Sequence, residues 1–178
     1  ANYFSGTVSV INTVTSAVVG TIPVGSNPVG LAVTPSGNKV YVTSYKGASV
    51  SVIDTATRTV VAAPIAVGTY PYSVAITPDG SKVFVANYGS ASVSVIDTAT
   101  NVVVGTITVG NYPDGVAITP DGSRAYVANQ GDNTISVIDT AANAVIGSPI
   151  AVGLAPLGLA VTPDRSEERR VGKECLRL

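Results

Sequence analysis

Across its first 164 residues the chain has no histidine, glutamate, cysteine, methionine or tryptophan. Without cysteine there is no disulfide framework and no thiolate metal site in that stretch. Without histidine, glutamate or cysteine, the commonest general bases and transition-metal ligands are missing, so catalysis by a base–nucleophile pair is poorly supported. Haem ligation by histidine or methionine is excluded for the same residues. Charge is sparse. Five basic residues, Lys39, Lys46, Arg58, Lys82 and Arg124, stand against eight aspartates, a net charge of −3, so no basic stripe points to nucleic acid. The longest apolar stretch, roughly residues 145–161, is broken by Pro149, Pro156 and several glycines. It reads as strands and a loop, with no transmembrane segment.

What the chain does have is a fourfold echo. V-S-V-I-[ND]-T or I-S-V-I-D-T closes at Asn12, Asp54, Asp97 and Asp139, at spacings of 42, 43 and 42 residues. A second marker, T-P-[SD]-[GR], begins at Thr34, Thr77, Thr119 and Thr162. A period of this length is the mark of stacked supersecondary units.

One copy, residues 113–153, reads as four short strands. Residues 115–119 alternate large and small, the period-2 strand signal. Thr119-Pro120-Asp121-Gly122 is a tight turn in which proline presets φ and glycine takes the left-handed position. Residues 125–129 form the next strand, a polar loop leads into Thr134–Asp139, and after another turn residues 144–152 form the fourth strand. Such a unit is one antiparallel blade of a β-propeller. Ala32, Ala75, Ala117 and Ala160 recur in the first strand, as expected where blades crowd towards an axis. Pro23, Pro64 and Pro149 fall in the fourth strand, where an outer edge needs no ladder donor. The 43-residue copies gain their extra residue in that strand, which an edge bulge would absorb.

Tyr41-Val42-Thr43-Ser44, Phe84-Val85-Ala86-Asn87 and Tyr126-Val127-Ala128-Asn129, with S-V-I-D-T-A-T and A-I-T-P-D-G, resemble the YVTN β-propeller repeat. The resemblance covers residues 1–164. It implies an all-β propeller of usually seven blades, mostly in secreted or cell-surface proteins such as surface-layer proteins, and hence an extracellular or cell-surface location. Related propellers include lactonases and quinoprotein dehydrogenase subunits. On this reading residues 28–68, 71–110 and 113–153 are complete blades. Residues 1–25 supply the outer three strands of a preceding blade, and residues 156–163 supply the inner strand of a following one. About four blades' worth would form an open arc of a seven-bladed ring, whose end blades invite end-to-end self-association. Ala1-Asn2-Tyr3 matches Ala86-Asn87-Tyr88, which places the start inside a repeat, so no signal peptide is visible.

Residues 165–178 differ in kind. They hold the other five basic residues, all three glutamates and the only cysteine, and Arg165 stands where the repeat has glycine. Arg165–Cys175 resembles the translation of a common short-read sequencing adapter, so residues 165–178 are expected to be a non-native tail.

Recurring polar residues are most simply structural. Asp54, Asp97 and Asp139 suit turns whose backbone amides they accept from, and Asp79 and Asp121 sit in tight turns. Asn2, Asn87 and Asn129 end the second strand and are expected to pin the following loop. Function is expected where the copies differ, on the rim formed by the loop after the second strand and the link between blades. That rim offers Tyr45, Lys46, Tyr70, Tyr72, Tyr88, Tyr112, Asp114, Gln130 and Asp132. Exposed tyrosines there could anchor a protein or a cell-surface glycan, or could simply shield loop backbone. Asp132-Asn133 alone does not make a calcium loop. The sequence therefore suggests no catalytic residue, cofactor or metal. It suggests a non-enzymatic interaction scaffold, with a propeller enzyme of lactonase or quinoprotein type, catalytic in other blades, as the alternative.

Overall fold

The computed structural model describes residues 1–162 as four antiparallel sheets in chain order. The first pairs β1 (Thr7–Asn12) with β2 (Ala17–Pro23). The second runs β3 (Pro28–Val33), β4 (Lys39–Ser44), β5 (Ser49–Asp54) and β6 (Thr59–Val60), with β7 (Ile65–Ala66) also on β5. The third is β8 (Pro71–Ile76), β9 (Lys82–Asn87), β10 (Ser92–Asp97) and β11 (Val102–Thr108). The fourth is β12 (Pro113–Ile118), β13 (Arg124–Asn129), β14 (Thr134–Asp139) and β15 (Ala144–Val145), with β16 (Ile150–Ala151) also on β14. The tail from Arg165 lies outside the described residues, and no helix among those described is long and apolar enough to cross a membrane.

The hairpins follow from their turns. Gly37, Gly80 and Gly122 sit at φ of 73°, 75° and 72°. Each amide donates to the threonine carbonyl three residues earlier at 2.8 Å. That is the left-handed position only glycine takes without strain.

The core lies between sheets. Tyr41, Val50, Val52 and Ile65 of one blade meet Val74, Val83, Val85 and Ile96 of the next. Phe84, Val93, Val95 and Ile107 likewise meet Val116, Ala125, Val127 and Ile138, and Val8 and Ile22 meet Val42 and Ile53. Each fully buried Val or Ile contributes about 1.5–3 kcal/mol, so a blade is stabilised mainly by its neighbours.

Polar bonds cross the same seams. Lys39 Nζ donates to the Thr98 carbonyl at 2.8 Å, and Lys82 Nζ to the Thr140 carbonyl at 2.6 Å and Asn143 Oδ1 at 3.0 Å. Tyr41 Oη donates to Asn101 Oδ1 at 2.8 Å. Burial, then the charge of Asp97, pushes the Tyr41 phenol up to about 12. Thr43 Oγ1 donates to the Tyr72 carbonyl at 2.8 Å.

Three details differ from the sequence reading. The outer edge does not simply bulge to absorb the longer copies. In the short copies β2 and β11 are continuous with a one-residue bulge, Val10↔Gly20 giving way to Ile11↔Val18 and Val95↔Gly105 to Ile96↔Val103. In the long copies the strand breaks: three steps from Val50 to Ile53 face five from Ile65 to Val60. Pro64 and Pro149 lie in these breaks, where proline's missing N–H leaves no ladder bond unmade. The first sheet has two strands, not three, because Asn2 makes only an isolated bridge to Thr7. Residues 156–162 belong to no strand.

Candidate functional site

Every inner strand opens with a bulge just after its proline. Pro28↔Ser44 is followed by Leu31↔Val42, Pro71↔Asn87 by Val74↔Val85, and Pro113↔Asn129 by Val116↔Val127. In each, two residues face one. The small residue in each bulge allows neighbouring inner strands to close up. A methyl group on Gly30 would lie 2.5 Å from the Tyr72 carbonyl oxygen, and one on Gly115 would run into the Leu157 carbonyl. The other bulge residue, Val29, Tyr72 or Asp114, lines a common pocket of about 230 Å³ together with Val116 and Leu159. A bulge re-aims a side chain in this way. The pattern Pro-x-[Gly/Ser] stands in all four copies, yet sequence reasoning looked for small residues only at the alanines.

The rim tyrosines form a connected row. Tyr45 stacks on Tyr70 at 4.8 Å between ring centres and 18° between planes, and Tyr88 on Tyr112 at 5.0 Å and 22°. Tyr72 joins the pairs, 6.2 Å from Tyr45 edge-on and 6.3 Å from Tyr88. Tyr3, in the equivalent rim loop of the first copy but not among the candidate residues, extends the row at 6.5 Å from Tyr45, and Phe4 packs edge-on against Tyr3. Their loop, Tyr3-Phe4-Ser5, was the available signal. A second pocket of about 540 Å³, lined by Ala1, Tyr3, Tyr45, Pro28, Val29 and Tyr72, shares Val29 and Tyr72 with the first. The two are neighbours, with Val29 and Tyr72 in the wall of each.

Tyr70 and Tyr112 hold φ of 52°, a conformation that a bulky residue adopts only under strain. Asn27 holds the same place in the preceding copy at φ 53°. Each tyrosine ring lies over a glycine: a methyl group on Gly89 would sit 2.5 Å from Tyr70 Cδ2, and one on Gly131 2.7 Å from Tyr112 Cδ2. Where Asn27 replaces tyrosine, Lys46 replaces glycine. Partial burial, then the neighbouring hydroxyls of Tyr3, Tyr70, Tyr88 and Tyr72, raises the Tyr45 phenol.

The polar rim residues divide. Lys46 is exposed. Gln130 Oε1 accepts from Tyr88 Oη at 2.8 Å. Asp132 accepts from the Asn111 amide at 2.7 Å and Asn111 Nδ2 at 2.9 Å, and these bonds hold its carboxyl below the usual range. It therefore ties the loop to the link between blades. Asp114 has no hydrogen bond or salt bridge to another described residue, and burial alone raises its carboxyl.

The recurring residues serve the turns. Asp54 accepts from the Thr57 amide and hydroxyl at 2.7 and 3.0 Å, Asp97 from those of Thr100 at 2.8 Å each, and Asp139 from the Ala141 and Ala142 amides at 2.9 and 2.8 Å. Asp79 accepts from the Ser81 amide at 3.0 Å, and bonds from Thr77 and Ser81 lower its carboxyl to about 2. Asp121 accepts from the Ser123 amide at 3.0 Å. Asn87 Nδ2 donates to Ser92 and Ser94, and Asn129 Nδ2 to Thr134 and Ser136, bracing the loop that follows. Among the described residues, no three acidic, histidine or cysteine side chains gather as a metal site.

Comparison with known proteins places this geometry. The family described as "Lactonase, 7-bladed beta-propeller" matches residues 12–109, more than half of the chain. No curated protein matches it. Among solved structures, Kuenenia stuttgartiensis hydrazine synthase is similar at 34% identity and a TM-score of 0.73, covering 76% of this chain and 39% of that one. A functionally unknown protein from Desulfotomaculum acetoxidans DSM 771 is similar at 19% identity and a TM-score of 0.79, covering 90% of this chain and 54% of that one. The chain thus spans about two fifths to a little over half of the structures it resembles.

Proposed function

The chain belongs to the lactonase family of seven-bladed β-propellers, and we propose that this part of the ring is a non-enzymatic recognition surface. It binds a protein or a cell-surface glycan outside the cell, through the tyrosine row. The observation that carries this reading is that Tyr70, Tyr72 and Tyr112 stay 47%, 37% and 51% exposed while joined ring to ring in one row. Rings fixed by stacking present flat apolar faces at small entropic cost, and their hydroxyls remain available for hydrogen bonds. The YVTN resemblance supports the extracellular location. The triple replacement of Tyr70, Tyr72 and Tyr112 by alanine in the full-length protein tests the reading. Binding to intact cells and to an array of surface polysaccharides should fall at least tenfold. Unchanged binding removes the proposal.

A second reading, hydrolysis of a lactone, rests on the family and on Asp114, the carboxylate at the bulges. It predicts lactone turnover by the full-length protein that is lost in Asp114→Asn. Turnover retained in that variant would place catalysis elsewhere.

A further inference from the structure

We infer that the bulge pocket is a binding site for an organic cation, an ammonium or guanidinium group on a flat or apolar body, with Asp114 as its counter-ion and Tyr72 as its aromatic wall. The inference rests on the recognition reading only in sharing Tyr72 with the rim.

Three bulges, one per blade, bring Val29, Tyr72 and Asp114 to one pocket. The backbone device is the same in each blade, so the difference in side chain sets what the pocket accepts. Val29, Val116 and Leu159 make it apolar. Tyr72 adds a ring face that attracts cations. Asp114 adds the charge. Every other aspartate among the sequence-derived candidates accepts a hydrogen bond from a turn or a link, whereas Asp114 has no such partner among the described residues. An unpaired carboxylate in a half-buried, apolar setting is unfavourable, and a bound cation removes that penalty. The flat or apolar body is suited to the neighbouring aromatic cavity at Tyr45 and Tyr3, which has Val29 and Tyr72 in common with the pocket. A neutral sugar would use the rings but leave the carboxylate unpaired. An anion would be repelled.

Benzylammonium and benzyl alcohol serve as probes, because they share a ring and differ in charge. Binding to the full chain is followed by calorimetry and by shifts of the Tyr72 ring resonances. Benzylammonium should bind at least tenfold more tightly than benzyl alcohol, and added salt should narrow the difference. In Asp114→Asn the ratio should fall to about one. That variant removes an unpaired charge, so the fold is not at risk. In Tyr72→Ala both probes should weaken together. Equal binding of the two probes to the unaltered chain, or a ratio unchanged in Asp114→Asn, overturns the cation site. Neither result depends on Tyr70 or Tyr112, so the rim can fail while the cation site holds, and the reverse.

Discussion

Replacing Gly89 by alanine tests the rim's construction at one methyl group. The new Cβ would stand 2.5 Å from Tyr70 Cδ2 and 2.8 Å from Thr69 Oγ1. Tyr70 must then leave Tyr45, or the backbone must shift and strain the bonds from the Gly89 amide to the Thr69 carbonyl and from the Tyr88 amide to the Tyr70 carbonyl. Losing the stack costs about 0.5–1.5 kcal/mol, and weakening a backbone bond adds about 1 kcal/mol. Restricting the unfolded chain returns about 0.4–1 kcal/mol. The net expectation is a loss of about 0.5–2 kcal/mol. The chain contains its own control, since Asn27 and Lys46 occupy the same two places in the preceding copy. Tyr70→Asn loses the stack but relieves the left-handed strain, so alone it should be nearly neutral. Gly89→Ala combined with Tyr70→Asn should recover most of the loss, a coupling of about 1 kcal/mol or more in a double-mutant cycle. Urea denaturation gives the free energies, and near-ultraviolet circular dichroism reports the tyrosine stack. A Gly89→Ala variant as stable as the parent, or a double variant equal to the sum of the singles, refutes the reasoning.

Three further outcomes are expected. Lys82→Met should lower stability by about 1.5–3 kcal/mol, because it removes a charged donor from the Thr140 carbonyl and Asn143; thermal denaturation checks this, and no change would mean the seam is held by packing alone. Tyr41→Phe should cost about 1 kcal/mol at neutral pH through the lost bond to Asn101. The folded pKa of Tyr41 is raised, so its contribution is complete below pH 10 and is lost as the pH rises towards about 12. The gap between parent and variant, followed by denaturation against pH, should therefore close over that range. Asp114 also has a raised folded pKa, so its neutral form favours folding below the unfolded value near 3.8, and that benefit disappears as the pH rises through the folded value. Asp114→Asn should be more stable than the parent at pH 7 and should lose that advantage at pH 3.

The blade plan was legible because its punctuation is local. Thr-Pro-[Ser/Asp]-Gly fixes a turn from four adjacent residues, and the alternation on either side fixes which residues face the seams. Local signals do not say how a ladder responds to one more residue. The insertion between Asp54 and Gly68 was visible, but whether the strand bends or breaks depends on where Pro64 falls in the register. The shared face of the tyrosines could be read from the loops, since every copy sends the same two loops to one side. Their stacking could not, because tyrosine is a poor residue for φ near 52°, and only Asn27 in the sister copy hinted at that backbone. Asp132 looked like a variable rim charge. Its partner Asn111 is 21 residues away, a distance at which sequence carries no pairing signal. Asp114 stood among the rim residues for the converse reason: what sets it apart is having no such partner among the described residues.

Four of the shorter side-chain bonds that cross the seams share one direction, while a longer one, from the Val116 amide to Ser73 Oγ at 3.4 Å, runs the other way. Lys39, Tyr41, Thr43 and Lys82 each donate from an earlier blade to a later one. A chain emerging from the ribosome therefore finishes each blade with its donors in place before their acceptors exist. Until the next blade is made, the ammonium group keeps water at the edge of a Val- and Ile-rich sheet face, the surface most prone to sticking to other nascent chains. When the next blade lands, its turn carbonyl takes over from that water and the guard becomes a clasp. Arg124 holds the same place in the fourth sheet and is exposed. In the blades of Lys39 and Lys82, protection during synthesis and cohesion afterwards thus come from one side chain.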